Sequence, residues 1–151
     1  MKPQFQSAST GLLFLALTFL LQAFAPNLKP AGGDYFKVLL NNKMIAEQYL
    51  TQPVSIKSFS LSGSNNNDQL TFYYSHCGKP GSERSIVVKN ADGSILKQWH
   101  FSNGSDFNMN VRAKDLVNVV NKKAEVSVFY YSKELVEGRL LIRLNLKGIT
   151  A

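Results

Sequence analysis

Polar and apolar residues alternate along much of this chain. Leu70, Phe72 and Tyr74 are interleaved with Thr71, Tyr73 and Ser75. Val126, Val128 and Tyr130 share one phase of residues 124–132, and Leu140, Ile142, Leu144 and Leu146 share one phase of residues 139–147. A period of two is what a half-buried strand requires, because successive side chains point to opposite faces of a sheet. Residues 34–40 and 43–50 read as two further strands joined by Asn41-Asn42, a pair that tolerates the left-handed backbone of a tight hairpin. The second of them also holds Met, Ala, Glu and Gln, which favour helix. Residues 54–61 change phase between Val54, Ile56 and Phe59, Leu61, which predicts a bulge near Lys57-Ser58. Residues 86–88 and 95–101 flank the turn Asn90-Ala91-Asp92-Gly93. There Ile95, Trp99 and Phe101 share one face, and Leu96, Gln98 and His100 the other. Residues 107–111 predict a short strand, and residues 114–120 one or two helical turns or a connector.

Eight or nine short strands with at most one short helix predict an all-β chain, an antiparallel β-sandwich with an immunoglobulin-like or related Greek-key topology. An open barrel is the alternative. Loops fall at 62–68, 76–84 and 102–106, and a turn at Asn121-Lys122-Lys123.

The N-terminus breaks this pattern. Lys2 precedes an uncharged apolar run, residues 11–21, and then Ala23-Phe24-Ala25. This is the form of a secretory signal peptide, so residues 1–25 are expected to be a leader and not part of the fold. The apolar run is shorter than the roughly 20 residues of a spanning helix. Pro26 sits badly just after a scissile bond, so cleavage is expected elsewhere, for instance after Ala23; otherwise the leader stays as an anchor. Residues 26–33 read as a flexible lead-in and 34–148 as one sandwich domain. The expected location is therefore secreted or periplasmic.

Composition adds little more. The formal charge is +7 and the pI about 9.6. Such an excess suits an anionic partner. A scattered basic surface explains it as well, since the Lys/Arg runs are short. A single cysteine excludes an internal disulfide and a Cys-rich zinc site.

Three sets of residues have candidate chemistry. His76, Cys77 and His100 offer a thiol with neighbouring bases, or N, S and N donors for zinc or copper. Two of the three are sequence neighbours, and no nucleophile motif accompanies them, so a structural role is the simpler reading. No metal or other cofactor and no enzymatic activity are expected. Tyr73 and Tyr131 lie opposite the apolar phase of their strands, where rings can stack on sugars; Trp99 shares a face with Ile95 and Phe101 and is expected in the core. Arg139, Arg143 and Lys147 space a basic stripe along the last strand, suited to an acidic partner or to blocking edge-to-edge association. Asp68, Glu83, Asp92, Asp106, Glu134 and Glu137 fall in predicted turns, and nothing pairs them for glycoside hydrolysis. Asn103-Gly104-Ser105 matches a glycosylation sequon, which matters only in a eukaryote. Helix-borne nucleic-acid motifs are absent.

The combination of a leader with LTFYYSHCG, ILKQWHF, VSVFYYSKEL and GRLLIRL resembles a group of short, uncharacterised secreted proteins of Gram-negative bacteria. The resemblance spans about residues 34–146 and implies export and a β-sandwich, with no activity. The expected function is a non-enzymatic binding or interaction module for a protein or glycan. Its alternatives are a carbohydrate-binding module using Tyr73 and Tyr131, or a thiol or metal protein using the His76-Cys77 loop. Membrane contact is expected only if the leader is retained.

Overall fold

A computed structural model describes residues 33–62, 67–118 and 125–147. The leader, most of the lead-in and the turn at 121–123 lie outside the described residues. Nine strands run in the order β1 (Tyr35–Leu40), β2 (Lys43–Tyr49), β3 (Lys57–Ser62), β4 (Gln69–Ser75), β5 (Arg84–Lys89), β6 (Ile95–Phe101), β7 (Asn108–Arg112), β8 (Glu125–Ser132) and β9 (Leu135–Lys147). A five-residue helix, α1 (Ala113–Val117), follows β7.

The strands form two sheets, β2-β1-β4-β7 and β3-β9-β8-β5-β6. Each sheet turns one face to a shared core. Phe36, Val38, Leu70, Phe72, Met109 and Val111 come from the first sheet, and Ile86, Val88, Val126, Val128, Ile142 and Leu144 from the second. Leu116 of α1 is fully buried in the same cluster. The expected β-sandwich is what the chain forms, and it is not a barrel. Strands distant in sequence are neighbours in both sheets, β5 beside β8 in the second and β4 beside β7 in the first, so the chain crosses between the sheets repeatedly.

The second sheet is mixed rather than wholly antiparallel, because β3 runs parallel to β9. The chain reaches β3 from the other sheet, so no tight hairpin forces it to be antiparallel to its neighbour. The strand begins at Lys57, and Val54 lies before it, 47% exposed. The phase change at Lys57-Ser58 is therefore the entry into the strand and not a bulge.

Bulges occur instead where the alternation looked unbroken. Val88 pairs with Lys97 and Lys89 with Ile95, so Leu96 is the extra residue in β6. Leu96 joins Trp99 and Phe101 against the core, and Ile95 is left 60% exposed. Val128 pairs with Ile142 and Phe129 with Leu140, so Leu141 is extra in β9 and fully buried. That slip moves Leu140 to the outer face beside Phe129 and turns Arg139 inward beside Tyr130. The basic stripe expected from Arg139, Arg143 and Lys147 on one face is thus broken at Arg139.

Tight turns take the residues their backbones need. Asn41 and Asn42 have φ of 49° and 65°. Cys77 and Gly78 have φ of 50° and 89°, and His76 and Lys79 exchange backbone hydrogen bonds across them. His76-Cys77-Gly78-Lys79 is therefore a two-residue hairpin of the primed type.

Candidate functional site

Three regions collect polar or aromatic side chains: one end of the sandwich interior, the outer sheet faces, and the lateral opening between β6 and β7.

The interior cluster is built around His76, just past the end of β4. Its Nδ1 lies 3.4 Å from Asp34 Oδ2. Its Nε2 is 3.1 Å from both Tyr130 Oη and Ser132 Oγ. Tyr74 donates its hydroxyl to Asp34 at 3.0 Å, and Cys77 Sγ is 3.7 Å from the other oxygen of Asp34. The Tyr74 and Tyr130 rings stack at 4.2 Å. Burial, and then the Asp34 carboxylate, push the Tyr74 hydroxyl well above the usual tyrosine range, while Arg139 opposes the shift. Burial likewise raises Tyr130.

Asp34, His76 and Ser132 have the order of an acyl-transfer triad, but the arrangement is closed. Ser132 is 5% exposed. Gly81 packs so tightly over Tyr130 Oη, His76 Nε2 and Ser132 that a methyl group there would overlap them. A nucleophile needs room for its substrate, and here that room is filled by backbone. The cluster ties β1, β4 and β8 together across the two sheets. The hairpin at Cys77-Gly78 supplies the turn that sets His76 in place.

His100 is not part of this cluster. It pairs with Ser85 on the outer side of β6 and is exposed. The structure therefore separates His100 from His76 and Cys77. Among the described residues no group of three or more His, Cys, Asp or Glu side chains is placed to hold a metal ion.

Tyr73 and Tyr131 lie on outward faces, but of opposite sheets, so they do not form one platform. Tyr73 stacks on Phe107 at 4.9 Å with an interplanar angle of 13°, and Lys37 Nζ lies 4.8 Å from its centroid. Tyr35 and Tyr49 extend that row across the first sheet. Burial and the Glu47 carboxylate, which accepts its hydrogen bond at 2.6 Å, raise the Tyr35 hydroxyl. Tyr131 accepts a hydrogen bond from Lys89 Nζ at 2.7 Å, and its ring packs directly on the backbone of Gly138. Lys89 also sits 4.8 Å over the Phe129 ring. Both tyrosine rings are thus already packed by residues of their own sheet. Arg143 lies on the outer face 3.7 Å from Glu125.

The lateral opening is different. An open groove of about 320 Å³ is lined by Lys97 and Trp99 of β6, Arg112 at the end of β7, Asp115 of α1 and Asn118. The edges of the two sheets meet there. Trp99 packs on the core on one side, as its phase predicts, and lines the groove on the other. Arg112 donates from Nε at 2.8 Å and from Nη2 at 3.1 Å to the two oxygens of Asp115. This fork-on-carboxylate pair fixes both side chains at the rim. Lys97, Arg112, Asp115 and Asn118 had no signal in the sequence. They meet only because β6 and β7 are edge strands on the same side of the sandwich.

No protein-family model matches this chain, and no curated protein shows a significant sequence match to it.

Proposed function

We propose that this is an exported, non-enzymatic β-sandwich that binds carbohydrate in the lateral groove. One observation carries the reading: Trp99, the only tryptophan of the chain, shares a groove with fixed hydrogen-bonding side chains. Saccharides present an apolar ring face and rows of hydroxyls. An indole suits the first, and the Arg112, Asp115 and Asn118 groups suit the second. The volume lies at the lower end of ligand pockets, roughly 300–1,000 Å³, which suits a short saccharide. Support for export comes from residues 1–25, where a basic residue, an apolar run and Ala-x-Ala follow in order.

Because Trp99 is the only tryptophan, its emission under red-edge excitation, which the six tyrosines do not absorb, reports on the groove. Titration of the protein with a panel of short oligosaccharides is expected to shift or quench that signal for at least one of them. The response should be retained in Tyr73→Ala and Tyr131→Ala. No response to any saccharide, or a response abolished by Tyr73→Ala, would contradict the groove reading.

A further inference from the structure

The described cations of this protein differ in how their charge is used. Several are engaged by neighbours. Lys37 and Lys89 sit over aromatic rings, Arg143 faces Glu125, and Arg84 is 3% exposed with Nη1 and Nη2 donating to the carbonyls of Asp106 and Ser102 at 2.7 and 2.9 Å. Arg139 is turned into the sandwich. The two cations that line the groove keep bonding capacity in reserve. Lys97 makes no ion pair among the described residues. Arg112 spends only its Nε and one Nη2 donor on Asp115. A guanidinium has five N–H donors, so its Nη1 end stays able to grip a second oxyanion. Asp115 is the only carboxylate among the lining residues, and it is held by Arg112. The groove therefore has net positive charge beside an indole.

We propose, resting on the groove reading above, that the preferred ligand is an anionic saccharide. Its carboxylate or sulfate is held by the free end of Arg112 and by Lys97, and its ring lies along Trp99. Asp115 is a positioning residue: it fixes the guanidinium plane. Lys97, on the facing strand, adds a point charge without directional demand. The basic character of the whole chain favours the same class of ligand at longer range.

The test is calorimetry and Trp99 fluorescence with trigalacturonate, a sulfated disaccharide and neutral galactotriose, at low and high salt. At least one anionic sugar is expected to bind ten-fold or more tighter than the neutral one, and salt should narrow that gap. Which of the two wins tells carboxylate from sulfate. Lys97→Ala should reduce the preference several-fold and leave the Trp99 response to neutral sugar in place, whereas Arg112→Gln should weaken both classes of sugar and the anionic one the more. A thermal melt of each variant guards against loss of fold; Lys97 is exposed, so its variant is the safer of the two. Equal binding of charged and neutral sugars, or a preference that survives both substitutions, overturns the anionic assignment and leaves the groove reading standing. Silence of Trp99 toward all three sugars overturns both.

Discussion

The interior cluster around His76 and the groove beside Trp99 are both polar, yet they stand in opposite conditions. At the first, every named polar group meets another: Asp34 meets Tyr74 and His76, and His76 meets Tyr130 and Ser132. Gly81 closes the space above them. At the second, Arg112 and Asp115 hold each other in the open, and Lys97 and Asn118 stand around an accessible volume. Buried polar groups contribute to stability only when satisfied, whereas a binding site needs groups with bonding capacity in reserve. The arrangement that looks most like a catalytic triad is thus the one built as a tie between sheets. The groove, which has no motif, is the one with room.

Substitutions should separate the two regions. His76→Ala removes the centre of the closed cluster and takes one partner each from Asp34, Tyr130 and Ser132, while Asp34 keeps Tyr74. A loss of about 2–4 kcal/mol is expected in urea unfolding, with saccharide binding intact while the variant is folded. A stable variant that lost binding would reverse the assignments. Gly138→Ala is expected to cost about 1–3 kcal/mol, because φ is 72° and the new methyl would overlap the Tyr131 ring. Gly81→Ala should cost a similar amount through the His76 cluster.

Effects at the groove should appear in binding and not in stability. Asp115→Ala breaks an exposed pair and should change unfolding free energy by less than about 1 kcal/mol, while weakening binding of an anionic sugar several-fold. Cys77 is exposed at a left-handed turn position, so a maleimide should label it rapidly in the native protein. Cys77→Asn supplies a residue better suited to that backbone and should leave stability within about 1 kcal/mol, or raise it slightly.

The smallest expected effect is on acid stability. Desolvation acts to raise the Glu134 carboxyl, but hydrogen bonds from the Ser82 and Glu134 backbone outweigh it and hold the group down at about 2. A depressed carboxyl stabilises the fold above its unfolded value, here 4.5, and that contribution fades as pH falls toward 2. The group is exposed, so Glu134→Gln should remove no more than about 0.5 kcal/mol at neutral pH after screening. The difference from the parent protein should close below pH 3 in a series of urea melts.

Strand positions were legible in the sequence wherever alternation ran unbroken into one buried face, as at Leu70, Phe72 and Tyr74 or Val126, Val128 and Tyr130. The Asn41-Asn42 hairpin was legible because its residue types match its backbone. The bulges at Leu96 and Leu141 were not. One inserted residue leaves composition unchanged and flips every side chain beyond it, so Ile95 and Arg139 moved to the faces opposite those their spacing implied. The parallel β3–β9 pair was hidden because residues far apart in the chain set it. The groove was hidden for the same reason, since Lys97 and Arg112 belong to edge strands of different sheets. His76 and Cys77 were visible as unusual residues; their partners Asp34 and Ser132 were not, because only the folded sandwich brings three strand ends together.

The central claim is that ligand enters beside Trp99 and that the His76 cluster is closed. Amide chemical-shift mapping of the ¹⁵N-labelled protein during titration with trigalacturonate tests this most directly. The account predicts the largest shifts at residues 97–99 and 112–118, with His76, Tyr130 and Ser132 unmoved. Shifts centred on residues 74–82 and 130–134, with the Trp99 indole signal still, would contradict it.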